Sequence, residues 1–198
     1  MIVQPHTSLA TRRWLAACTL ALASAAVQAA PTTTRFEPTT QVQGQALLLN
    51  GTGTRVRAVF KVYDMALYTT RKVSTTQDLL NLGGAKKLHF AALRELPGTD
   101  LGLLFLKGLQ ANSTKEQVQK HTTSSTRLIE IFSGKNKLMP GDTFTMEFIP
   151  DKGTQFYIQE QAQGGPVGDA EFFEMILKIW FGPASVDTGL RDALLGQR

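Results

Sequence analysis

Apolar and polar residues alternate with a period that changes several times along the chain, and each change marks an element. Gln45 to Leu49 is a short apolar run ending in Asn50-Gly51. That dipeptide suits a tight turn, because Gly accepts positive φ and Asn tolerates it, so a hairpin is expected there. Beyond it, Val56, Ala58, Phe60 and Val62 alternate with Arg55, Arg57 and Lys61, the period of a strand with one buried face. Met65 and Leu67 fall on the opposite parity, which predicts a bend or bulge near Tyr63. Lys86 to Leu93 reads as another strand. Pro97 then opens a helical segment in which Leu101, Leu104, Phe105 and Leu109 mark the apolar face.

A more polar helix is expected from Ser113, with Ser113 as cap and Glu116 completing a capping box, running through Val118 toward Leu128, Ile129 and Phe132. Phe144, Met146 and Phe148 alternate with Thr143, Thr145 and Glu147, and Phe156 with Ile158 repeats the pattern after Asp151-Lys152-Gly153, so antiparallel strands are predicted. The chain closes with a helix from about Asp169 to Phe181, whose Phe172, Phe173, Ile176, Ile179 and Trp180 form a wide apolar face, and a short helix from Asp187 to Leu195. Strands with helices grouped between them predict an α+β fold, a largely antiparallel sheet with helices packed on one side.

The N-terminus follows a different rule. Arg12 and Arg13 precede an uncharged stretch from Trp14 to Val27 and then small residues, the order of a secretory signal. The apolar part falls short of the roughly 20 residues that a spanning helix needs, so no permanent membrane anchor is expected. Val27-Gln28-Ala29 fits the small-x-small rule of signal peptidase, which predicts a mature start at Ala30 and a periplasmic location. Thr11 to Leu15 also partly fits a twin-arginine signal, so the export route stays open. Leu15-Ala16-Ala17-Cys18 has the look of a lipoprotein box, but too few apolar residues precede the cysteine. Residues 30–44 are rich in Thr, Pro and Gln and read as a tether, leaving 45–198 as one domain.

Residues 1–29 hold two of the 21 Lys and Arg and none of the 16 Asp and Glu, so the net charge falls from +5 to a mild +3 once they are removed. The remaining lysines are spread over polar segments and form no phosphate-binding stripe, which excludes nucleic acid as the expected partner. The single cysteine, Cys18, leaves with the signal, so a packed core without disulfides must hold the domain together. About 170 residues are enough for one such core, burying roughly 70% of the surface of the unfolded chain.

Signatures of familiar chemistry are sparse. Gly51-Thr52-Gly53-Thr54 lacks the third glycine of a dinucleotide fingerprint, since Val56 stands there, and a strand follows where a helix is required. His89 and His121 are far apart and lack zinc-ligand company, so neither a metal nor a cofactor is expected. No G-x-S-x-G elbow or mature thiol offers a nucleophile. Glu171 and Glu174, three residues apart on a helix face, read as solvated charge.

Two stretches are more specific: LNGTGTRVRAVFKVYDMALYT, from Leu49 to Thr69, and IWFGPASVDTGLRDALLG, from Ile179 to Gly196. With N-G-x-G-x-R, then K-V-Y and A-L-Y, and finally V-D and A-L-L-G in the same order, the chain from about Gln41 to Gly196 resembles the chalcone isomerase-like family, in its exported bacterial branch. The resemblance implies that Arg55 is the arginine that steadies developing negative charge in the plant cyclases, and that Asn112 is the helix asparagine. Tyr63 stands where those enzymes carry a threonine, and Phe105 where they carry a tyrosine; a phenylalanine cannot order water. The site residues implied for catalysis are therefore Arg55, Asn112 and Tyr63, within an altered hydroxyl network.

The expected function is that of a non-catalytic binder of a small apolar anion such as a fatty acid, with Arg55 and Asn112 at the polar end and Phe105, Leu109 and Phe172 packing the tail. An intramolecular lyase acting on a conjugated phenolic substrate and an envelope interaction module are the alternatives. Arg55 also shares parity with Arg57 and Lys61, so strand period alone leaves open whether it faces a cleft or a solvated sheet face.

Overall fold

The computed structural model describes residues 1–2 and 32–197. The export signal expected over residues 1–29 lies, from residue 3 onward, outside the described residues, as do Arg12, Arg13, Cys18 and the cleavage site after Ala29.

In chain order the elements are β1 (Thr39–Val42), β2 (Gln45–Arg57), β3 (Phe60–Thr69), α1 (Thr76–Asn81), β4 (Lys86–Ala92), β5 (Leu96–Pro97), α2 (Gly98–Ala111), α3 (Lys115–Lys120), α4 (Thr122–Ser133), β6 (Lys137–Leu138), β7 (Thr143–Ile149), β8 (Gly153–Ile158), β9 (Gln161–Ala162), α5 (Ala170–Phe181) and α6 (Thr188–Leu194). Strands β1, β2, β3, β4, β7, β8 and β9 lie side by side in that order in one curled antiparallel sheet, so α2, α3 and α4 form an excursion between two neighbouring strands. β5 and β6 make a small second sheet at the ends of that excursion. The architecture is the expected α+β arrangement. Among the described residues no helix is long and apolar enough to cross a membrane.

The main core lies between one sheet face and α2, α4 and α5. Phe90 of β4 stacks on Phe144 of β7 at 4.2 Å between ring centroids, and Phe105, Phe132 and Trp180 close around them from the helices. All five rings are at most 3% exposed, and burial of a side chain of this size stabilises by roughly 2–3 kcal/mol.

The first hairpin differs from expectation. β2 runs straight through Asn50-Gly51, and the chain reverses instead at Ala58-Val59, where Ala58 takes φ 54°. Leu49 pairs with Tyr68 and Gly51 with Leu67, which leaves Asn50 as the extra residue of a bulge. Its side chain turns inward. Asn50 Nδ2 donates to the carbonyls of Val73 (3.0 Å) and Leu194 (2.8 Å), and its Oδ1 accepts from Val73 N–H (2.8 Å). Gly51 is required by proximity, because a Cβ there would lie 2.3 Å from the Ala193 carbonyl oxygen at the end of α6. The apparent alternation of Val56, Ala58, Phe60 and Val62 therefore belongs to two strands. A second register shift leaves Val62, between Lys61 and Tyr63, without a partner on β2, where the change of parity predicts an irregularity.

Two other boundaries move. The capping box belongs to Thr114 and Gln117: Thr114 Oγ1 accepts from Gln117 N–H, and Gln117 Oε1 accepts from Thr114 N–H. One helix was expected onward from Ser113, but the chain is divided into α3 and α4 at His121.

The segment 30–44, expected to be a tether, is built into the domain from Thr33 onward. The Thr33 and Thr34 amides donate to Asp64 Oδ2 at 2.9 and 2.7 Å, and Phe36 sets its ring edge-on to His89 at 5.5 Å. Burial works to raise the Asp64 carboxyl, but donors from Thr54, Thr34 and Thr33 outweigh it and hold the group below its ordinary range. On the same sheet face, burial, helped by the Lys87 cation, lowers His89 to about 4.

Two outcomes follow from this packing. Gly51→Ala is expected to destabilise the fold by about 3 kcal/mol or more, measured by urea unfolding, since backbone on both sides must shift. An unfolded histidine takes up a proton near 6.5 and the folded His89 only near 4, so the unfolded state binds more protons between those values. The His89 contribution is thus intact above about pH 6.5 and lost as the pH falls through about 4. Melting temperature should drop less over that window in His89→Leu than in the parent.

Candidate functional site

Past the Asn50 bulge, β2 carries Arg55 directly across from Tyr63 on β3. This end of the hairpin stands over α2 and bounds a cleft of about 770 Å³. Arg55, Phe60, Val62 and Tyr63 form one wall, Leu101, Leu104, Phe105 and Gly108 of α2 another, and Ile179, Ala184 and Val186 the end. Gly108 brings α2 close to α5, since a Cβ there would sit 2.9 Å from Ile179 Cγ2. The lining is mostly apolar, with Arg55, Arg57, Arg94 and Lys107 as cations and Glu95 and Asp100 as acids. Glu95 is already engaged by Lys137 at 2.8 Å.

Arg55 is held rather than loose. Its Nη1 donates to the Val56 carbonyl and to Asp187 Oδ2 at 3.1 Å, and its side chain is 21% exposed. Asp187 is the acid of the V-D motif, and it does three things: Oδ1 caps α6 by accepting from Leu190 N–H (3.0 Å), Oδ2 accepts from Val56 N–H (3.3 Å), and the same oxygen pairs with Arg55. Both motifs that carried the sequence resemblance thus meet at this ion pair. The role of Asp187 could have been suspected from its place before a short helix, but nothing local to the sequence names Arg55 as its partner. Nη2 and Nε of Arg55 have no protein partner among the described residues, so one edge of the guanidinium remains available to a guest.

Tyr63 is 6% exposed, and its hydroxyl accepts from Trp180 Nε1 at 2.9 Å. Burial pushes the phenol up to about 12 against the smaller opposing effects of the Trp180 hydrogen bond and the Arg55 charge, so it keeps its proton at neutral pH. Phe105 forms the floor of the cleft and offers no polar atom.

The structure does not bring the other expected residues to this cleft. Leu109 and Phe172 are fully buried in the core, the latter beside His121 at 5.7 Å, because the apolar faces of α2 and α5 are wider than the strip that meets the cleft. Asn112 caps the end of α2 and clasps the loop after α5: its Oδ1 accepts from Ala184 N–H (2.8 Å), and its Nδ2 donates to the carbonyls of Gly108 (3.0 Å) and Ala184 (3.2 Å). Glu171, expected to be solvated charge beside Glu174, is instead gripped by α3. Lys120 first, then His121 and Gln117, hold its carboxyl at about 2, while Glu174 pairs with Lys178 at 2.7 Å. Among the described residues no three His, Cys, Asp or Glu side chains converge as metal ligands.

A family model described as chalcone isomerase-like matches residues 29–196. The chain belongs to the chalcone isomerase-like family. No curated protein matches it. Among solved structures, a fatty-acid binding protein of Arabidopsis thaliana is similar with a TM-score of 0.63 and 13% identity, over 81% of this chain and 90% of that one. At that identity the likeness is one of fold. This chalcone isomerase-like chain places an arginine, a protonated phenol and an apolar floor together, and uses its helix asparagine as a clasp.

Asn112→Ala should therefore lower stability by about 1–2 kcal/mol in chemical denaturation, through loss of the clasp and of the partners it leaves unpaired.

Proposed function

We propose that the cleft binds a small apolar molecule with an anionic group, of the fatty-acid class, and does not transform it. The observation that carries this reading is Arg55: a half-buried guanidinium fixed by Asp187, with an unengaged edge, in the wall of a mostly apolar cleft whose other charged side chains, Arg57, Arg94, Lys107, Glu95 and Asp100, are exposed. Leu101, Leu104, Phe105, Ile179 and Val186 would pack the tail, in place of the buried Leu109 and Phe172. A cleft of about 770 Å³ is of the size that small ligands occupy, and a mostly apolar lining with a few placed polar groups is the usual design of such sites. The family match and a solved relative of the same fold named as a fatty-acid binding protein add support.

The pairing of Arg55 with Tyr63 favours a second reading, an intramolecular lyase in which the cation steadies a developing phenolate. Against it, Phe105 cannot order water, and the Tyr63 oxygen already accepts from the Trp180 indole, which leaves only its own O–H to meet a guest. We place the binder in the periplasm, as a member of the exported bacterial branch of the family; the paired arginines, the short apolar stretch and the small residues that follow it support that placement.

Lipid extracted from the purified protein should contain a fatty acid, and added palmitate should raise the melting temperature. Arg55→Gln is expected to weaken palmitate binding about tenfold or more, as loss of a charge-assisted contact implies. Asp187→Asn keeps a good cap on α6 but removes the carboxylate that fixes Arg55, and should weaken palmitate binding as well. Chalcone mixed with the protein should keep its visible absorbance. Turnover that disappears in Arg55→Ala would replace the binder with the lyase.

A further inference from the structure

We propose that the mouth of the cleft docks on an anionic lipid bilayer, with the β2–β3 hairpin tip and the shoulder of α2 entering the headgroup region. Exchange of a ligand with that bilayer rests on the binder reading; the docking itself does not.

The tip is chemically out of place for a turn in water. A two-residue hairpin turn with positive φ at its first position suits Gly, Asn or Asp, yet the chain puts Ala58 there at φ 54° and follows it with Val59 and Phe60. Val59 is 83% exposed and Phe60 59%. Across the cleft, α2 exposes Leu103 and Leu104 at 50% and 53%. Phe60 and Leu104 both line the cleft, so its opening has an apolar rim on two sides. Apolar side chains grouped on protruding elements around an opening mark a contact surface, in contrast to singly scattered ones.

The charges around this rim select the partner. Arg57, Lys61, Arg94 and Lys107 are all exposed, and the Arg94 guanidinium lies over the Phe60 ring at 5.3 Å. Of the two nearby acids, Glu95 is tied to Lys137, which leaves Asp100. A second copy of this chain would set cations against cations. An anionic bilayer instead offers negative charge at the level of the basic side chains and hydrocarbon just beneath, matching a surface whose apolar tips project among cations. A molecule leaving that bilayer tail-last would meet the cleft with its anionic end toward Arg55.

Flotation with vesicles tests the proposal, using the protein purified in the form its host accumulates and stripped of lipid. Vesicles containing phosphatidylglycerol at roughly a third of total lipid should bind at least about tenfold more tightly than pure phosphatidylcholine vesicles, and the difference should vanish near 1 M salt, where screening reaches only about 3 Å. Val59→Asp combined with Leu103→Asp, neither of which lines the cleft, should reduce vesicle binding at least about tenfold while leaving palmitate affinity in vesicle-free solution unchanged. Lys61→Glu, with circular dichroism as a check on folding, should act in the same direction. Equal binding to neutral vesicles, no binding to either kind, or unaltered binding by these variants would overturn the docking proposal. Vesicle binding without palmitate affinity would leave docking standing and remove the binder reading instead.

Discussion

The carboxylate of Asp187 joins the last helix to the second strand, and the position of Arg55 depends on that joint. One oxygen caps α6 and the other receives both the Val56 amide and the Arg55 guanidinium. With the side chains 21% and 17% exposed, the pair is neither fully wet nor fully dry. In such a setting an ion pair contributes modestly to stability but restricts geometry strongly. The result is a cation whose direction is set before any ligand arrives, so that little ordering is left to be done on binding.

The same joint governs how the ends of the chain close the domain. Asn50 sits at a bulge in β2 so that its amide can satisfy the carbonyl of Leu194 as well as both backbone groups of Val73, and Gly51 leaves room for the α6 backbone to approach. Residues that spell a turn in isolation therefore serve as a seat for the C-terminal helix. At the other end, the threonine amides and Phe36 cover the face of the sheet that carries no large helix. Buried Asp64 is stable there as an anion because Thr54 donates to one of its oxygens and Thr33 and Thr34 to the other.

The aromatic cluster limits what the cleft can do chemically. Phe105 is at once floor of the cleft and member of the core, touching Phe132 and Trp180, and Trp180 in turn engages the Tyr63 hydroxyl. Polar groups able to order water are thereby scarce beside Arg55. What remains in the cleft's interior is one oriented charge, one protonated phenol and hydrocarbon, with the other charged side chains exposed, a combination suited to holding an amphipathic anion.

Periodicity was sufficient for the elements whose burial is one-sided. The alternation in β7 and β8 and the broad apolar face from Phe172 to Trp180 report directly which side of the backbone avoids water, so those strands and α5 were legible, as was the α+β class. The motifs around Arg55 and Val186-Asp187 disclosed the family. Tertiary structure alone decided that Asn50-Gly51 is a bulge, that Leu109 and Phe172 belong to the core, that Asn112 is a clasp, and that Thr33 to Phe36 packs on the sheet. The reason is physical: a hydrophobic period records that a side chain is buried, and a turn-forming pair records that a conformation is easy. Neither records what lies opposite, and at every one of these positions the partner comes from a distant part of the chain.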